Sequence, residues 1–139
     1  MTSSLVDRLV CETLSSVIFV GDYCQLEFNG PRLSAYVWPK IVTETTARCF
    51  GDSGYRDLLC SFIGHDVEAA HDRPAVGIVL EFAIGAIVIN PEPSDLSGPE
   101  IAMLSGFDDP SWDIWRPGED TFHRRSDRPA ESDIGLGEK

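Results

Sequence analysis

The residues best suited to chemistry cluster at 65–72, where the chain reads His65-Asp66-Val67-Glu68-Ala69-Ala70-His71-Asp72. Imidazoles and carboxylates together raise a metal site, and Glu68 and His71 repeat the Glu-x-x-His spacing of di-iron bundles. That spacing works only on a helix facing a second copy, and neither is evident. Along a strand, His65 and His71 share a face but stand roughly 20 Å apart at ~3.3 Å per residue. They read as surface histidines, and neither a metal nor a cofactor is expected. The cysteines Cys11, Cys24, Cys49 and Cys60 lack the close spacing of zinc or redox motifs. They read as small buried hydrophobes.

Gly51-Asp52-Ser53-Gly54 is similar to the segment around the nucleophile of trypsin-like serine proteases. Its context does not follow. A chain of 139 residues is too short for a double barrel, both central histidines come after the serine, and a helical pattern begins at once. Asp52 and Ser53 read as helix-start residues. There is no glycine-rich phosphate loop and no His-Glu-x-x-His. No paired carboxylates stand in a recognisable setting. Nothing here points positively to an enzyme.

The remaining candidates are recognition residues. On Tyr23 to Phe28, Cys24, Leu26 and Phe28 alternate with Tyr23, Gln25 and Glu27, the period of a half-buried strand. A loop at Asn29 to Arg32 would pair Tyr23 with Trp38 and Gln25 with Tyr36, setting three aromatic rings on one half-polar face. Such a face is either a binding hot spot or is covered by a further layer carrying Trp112 and Trp115. The segment Asp95 to Asp120 is acidic, with Asp108, Asp109 and Asp113 in its middle and only Arg116 opposing them. The candidate binding set is therefore Tyr23, Gln25, Tyr36, Trp38, Asp108, Asp109, Trp112, Asp113 and Trp115.

These residues must be positioned by a core, and its centre is the apolar run Gly77 to Asn90. It predicts a hairpin with Ile78, Leu80, Phe82, Ile87 and Ile89 on one face. A two-residue loop at Ile84-Gly85 pairs Phe82 with Ile87 and Leu80 with Ile89. Two helices are expected. One spans Ser4 to Cys11, capped by Ser4. The other starts at Tyr55, with Leu58, Leu59, Phe62 and Ile63 on its stripe and Gly64 at its end. Ser97-Gly98-Pro99-Glu100 reads as a capping box opening a short helix to Leu104.

Arg8-Leu9-Val10-Cys11 matches Asp57-Leu58-Leu59-Cys60, and Leu26-Glu27-Phe28 matches Leu80-Glu81-Phe82. Such short matches arise by duplication or by chance. Duplication would give two αβββ units, 4–39 and 54–91. The expected fold is α+β, mainly antiparallel sheet with two principal helices. It forms one domain over 1–122, followed by a disordered tail over 123–139.

The formal net charge is −12. It opposes binding to phosphate backbones, which requires basic surface, and steers the chain toward a basic protein partner. No run reaches the ~18 apolar residues of a membrane span, and Met1 to Ser4 does not open a secretory signal. A cytoplasmic protein is expected, and its oligomeric state is not encoded in any readable pattern. The doubled layout, acidic surface, aromatic patch and lack of catalytic motifs together resemble the immunity proteins of bacterial polymorphic-toxin systems. That resemblance implies a small cytoplasmic protein that binds and blocks a cognate toxin, often a basic nuclease. The alternative is a small-molecule-binding or sensing domain with a pocket between sheet and helices near Tyr36, Trp38 and Trp112.

Overall fold

Alternating apolar and polar side chains make this chain a succession of short strands. The computed structural model describes residues 4–96 and 98–118. The expected tail at 123–139 and the domain boundary at 122 lie outside the described residues. A 3₁₀ turn at Leu5–Leu9 leads into β1 (Ser16–Val20), β2 (Tyr23–Glu27), β3 (Arg32–Ala35), β4 (Lys40–Val42) and β5 (Ala47–Arg48). Helix α1 (Tyr55–Cys60) then precedes β6 (Ala69–Arg73), β7 (Gly77–Phe82) and β8 (Gly85–Ile89). A 3₁₀ turn at Pro93–Asp95 separates these from β9 (Ala102–Ser105) and β10 (Asp113–Trp115).

The expectation of an α+β fold with two principal helices is overturned. The described residues hold two five-stranded antiparallel sheets, one six-residue α-helix and two 3₁₀ turns. At the first helical site Ser4 caps as expected, its Oγ accepting from the Val6 amide. Leu5, Val6 and Leu9 are all buried. Val10 is already extended, however, and Cys11 has φ +74°, because the Cys11 amide donates to Val67 O. Tertiary pairing thus ends the helix after one turn and a half, where isolated helical propensity is weak in any case. The second helix also stops early, at Cys60. Phe62 turns inward against Phe82, edge to face at 5.0 Å, and Gly64 takes φ +93°.

The helical member of each expected αβββ unit shrinks to a 3₁₀ turn or a six-residue helix, while the order of one helical segment followed by three antiparallel strands occurs twice, over 5–35 and 55–89. One sheet runs β1-β2-β3-β9-β10 and the other β5-β4-β8-β7-β6. Each is a three-stranded meander from one half of the chain, extended by a hairpin from the other half. The chain therefore crosses between sheets at 36–39 and returns over 90–101. The inner faces share one core, with Leu26, Phe28, Leu33 and Leu104 from the first sheet and Ile41, Ile78, Leu80 and Ile87 from the second. The short helix expected over Ser97 to Leu104 is replaced by β9. Ala102 and Leu104 are both buried beside Ala35 and Leu33, a period of two rather than 3.6.

Both hairpins pair two residues away from the sequence expectation. In the central one, Leu80 faces Ile87, Ile78 faces Ile89 and Phe82 faces Gly85, so the turn is Ala83-Ile84. Gly85 serves a different purpose, since a Cβ there would strike the Val42 carbonyl of the adjoining β4. In the first hairpin, Leu26 faces Leu33 and Gln25 faces Ser34. The turn is Asn29-Gly30, with φ +57° and +134°, closed by the Phe28 amide donating to Pro31 O at 2.8 Å. Asn-Gly is the strongest two-residue hairpin signal, and it outranks a loop extended to Arg32. Among the described residues, no helix is long and apolar enough to cross a membrane.

Candidate functional site

Strand alternation fixes what the first sheet shows to the outside. Cys24 and Leu26 turn inward, so Tyr23, Gln25 and Glu27 turn out. The register places Ile18, Gln25, Ser34, Met103 and Ile114 in one row across the five strands, half-buried at Ile18, Gln25 and Met103 and buried at Ser34 and Ile114. Gln25 Nε2 donates to Ser34 Oγ at 3.3 Å. At the neighbouring position Tyr23 meets Tyr36, ring centroids 5.2 Å apart and tilted by 40°. The expected pairings of Tyr23 with Trp38 and Gln25 with Tyr36 are thus corrected by the two-residue shift of the hairpin. On the other side of the row, Glu27 accepts from Ser16 and Arg32. These two bonds, Ser16's first, hold its carboxyl below the usual range.

Trp38 lies past the end of β3, on the crossing to the second sheet. Its ring stacks on Phe50 at 4.2 Å and 10° and lies 6.4 Å from Phe19. Tyr55 meets Phe50 edge-on at 5.9 Å, and its hydroxyl donates to Pro39 O. Burial pushes the Tyr55 pKa up. The Arg56 guanidinium lies 5.3 Å from the Phe50 ring centre and 5.6 Å from that of Phe19, within cation–π range. The stack forms one continuous aromatic wall, with Phe50 partly open to solvent.

That wall borders a cleft of about 630 Å³ formed where the two crossings meet. Tyr36, Val37, Trp38 and Pro39 line it from the first crossing, and Asn90, Pro91, Glu92 and Asp95 from the return. Val88 and Lys40 come from the strand ends, Cys49 and Phe50 from the loop after β5, and Asp22 from the β1–β2 turn. Three carboxylates thus oppose one ammonium. Asp95 Oδ2 accepts from the Glu92 amide at 2.8 Å, which fixes the return turn. Among the described residues, neither Asp22, Glu92, Asp95 nor Lys40 joins an ion pair.

The other expected site residues lie apart from this cleft. Asp108 and Asp109 pair with Arg8 at 3.8 and 3.1 Å, and Arg8 also sits 4.3 Å from the Phe107 ring centre. They tie the 106–112 loop to the first 3₁₀ turn. Trp112 is 57% exposed. Asp113 and Trp115 are buried opposite Leu104 and Ala102 on the inner face, so neither contributes to an outer surface.

His71 pairs with Glu81 at 3.0 Å across β6 and β7. Among the described residues, no three His, Cys, Asp or Glu side chains converge as metal ligands do. Ser53 lies in the turn before α1, where its carbonyl accepts from Arg48. Of the four cysteines only Cys24 is buried, with its thiol pushed up to about 12 by burial. Cys11, Cys49 and Cys60 are exposed, which corrects their reading as buried hydrophobes.

Sequence reasoning missed Asp22, Phe50 and Glu92. The one local signal was Phe50 itself, a large ring stranded between Cys49 and a glycine turn with no periodic pattern to bury it. Compared with family models, with curated proteins and with solved structures, the chain finds no match.

Proposed function

We propose that the chain is a non-catalytic interaction protein that binds a basic partner protein through the outer face of the first sheet and the adjoining cleft. One observation carries this reading: Tyr36 belongs to both, touching Tyr23 on the sheet and lining the acid-rimmed cleft. Tyrosine and tryptophan supply large contact areas at low entropy cost, and carboxylates at a rim speed encounter with a basic surface. The net charge of −12 acts in the same direction. A toxin domain neutralised by its immunity protein is a partner of this chemistry. With the two principal helices corrected, that resemblance rests chiefly on charge and aromatic surface. The proposal places the chain in a reducing compartment such as the cytoplasm, in keeping with three exposed free thiols.

The test is affinity capture from the source organism with wild-type and Tyr36→Ala bait, quantified by mass spectrometry. The expected outcome is a basic protein enriched by wild type and reduced at least tenfold by the variant, with circular dichroism unchanged. Equal capture by both baits, or no basic protein at all, rejects the surface. A second reading, a small-molecule-binding domain, is favoured by the size of the cleft, within the usual 300–1,000 Å³ of ligand sites. It requires native mass spectrometry to reveal a bound compound that Tyr36→Ala or Trp38→Phe releases.

A further inference from the structure

The cleft has a chemical preference that can be named. Its wall is apolar and aromatic, from Trp38, Phe50, Pro39 and Pro91, and its carboxylates are Asp22, Glu92 and Asp95. These carboxylates do not converge: no triad among the described residues is close enough to hold a metal ion. Separated acceptors around an apolar wall suit a broad cation on an apolar stem rather than a point charge. Arginine has that form, a planar fork of five donors that is weakly hydrated and packs on aromatic rings. The chain's own Arg56 already packs its guanidinium against Phe19 and Phe50 on the same stack. Lys40, the one cation in the cleft, makes no ion pair with the three acids.

We propose that the cleft is a pocket for one arginine side chain of the partner, its stem along Trp38 and Pro91 and its guanidinium spanning the carboxylates of Asp22 and Glu92. This rests on the reading of the chain as a binder of a basic protein. The pocket supplies the specificity of that contact and the sheet face its area.

The full chain, isotopically labelled, is titrated with N-acetyl-arginine methylamide, its lysine and norleucine counterparts, and spermidine. The Trp38 indole and the Asn90 amide are followed by NMR. The arginine probe is expected to shift both signals saturably at millimolar concentration, the lysine probe less and the norleucine probe not at all. Asp22→Asn with Glu92→Gln should weaken arginine binding about tenfold or more, since charge-assisted hydrogen bonds are lost. Lys40→Gln should tighten it. Thermal melts confirm that these exposed substitutions leave the fold intact.

Equal response to norleucine, no response to arginine, or a response to spermidine alone overturns the assignment. Partner capture separates the two claims. If capture survives neutralisation of Asp22 and Glu92 but fails with Tyr36→Ala, the arginine pocket falls and the binding face stands. If no basic protein is captured by wild type, the broader reading falls whatever the probes do.

Discussion

At Asp109 the Ser111 side chain and backbone amide, and then the Arg8 guanidinium, hold the carboxyl at about 2. The folded value lies below the ordinary aspartate range near ~3.9. The ionised form therefore favours the folded state in full above that range, and this contribution is lost as the pH falls through about 2. A carboxyl NMR titration should give that depressed midpoint, and Ser111→Ala should raise it more than Arg8→Gln does. The reverse order would show that the guanidinium leads. Cys24 gives a second measurement at this scale. Its buried thiol should stay unreactive while Cys11, Cys49 and Cys60 react, so a thiol reagent should count three groups in native protein and four in denaturant. Four fast groups would place Cys24 outside the core. The outward facing of Tyr23 and Gln25 was legible in the sequence because their strand alternates cleanly. Asp113 and Trp115 were not, because Trp112-Asp113-Ile114-Trp115 puts a tryptophan on each face and the pattern names neither.

The elements were legible where alternation was strong and misread where a helical stripe was short. Tyr55 to Ile63 carries helical spacing, yet only Tyr55–Cys60 is helix; Phe62 packs edge to face on Phe82 and Gly64 takes a positive φ that ends the run. Ala102 and Leu104 lost their strand signal to the capping pattern Ser97-Gly98-Pro99-Glu100 just upstream. Turn chemistry was visible but under-weighted, as the shifted register of both hairpins shows. Gly106 shows how a glycine can be set by contact as well as by conformation. It has φ +86°, and a Cβ there would lie 2.6 Å from Gly30 O in the neighbouring turn. Gly64 has a similar φ of +93° and open space. Gly106→Ala should therefore cost roughly 1–3 kcal/mol in urea denaturation and more than Gly64→Ala. Equal losses would mean that the turn and the loop do not touch.

The molecule as a whole is built by exchange: β9 and β10 complete the sheet begun by β1 to β3, and β4 and β5 complete the one formed by β6 to β8. This arrangement was not legible, since no local pattern says that β3 pairs with β9 or β8 with β4. The cleft shares that fate. Asp22, Trp38, Phe50 and Glu92 meet only because the two crossings pass each other. What the sequence did offer was a strongly acidic chain with Tyr23, Tyr36 and Trp38 on neighbouring segments, and the fold gathers acids and aromatic rings at one end of the first sheet. The decisive measurement is hydrogen–deuterium exchange of the chain with and without its captured basic partner. Protection is expected over residues 22–25, 34–40, 49–50 and 88–95. Protection confined to the His71–Glu81 side of the second sheet, or to the 106–112 loop, would contradict the account.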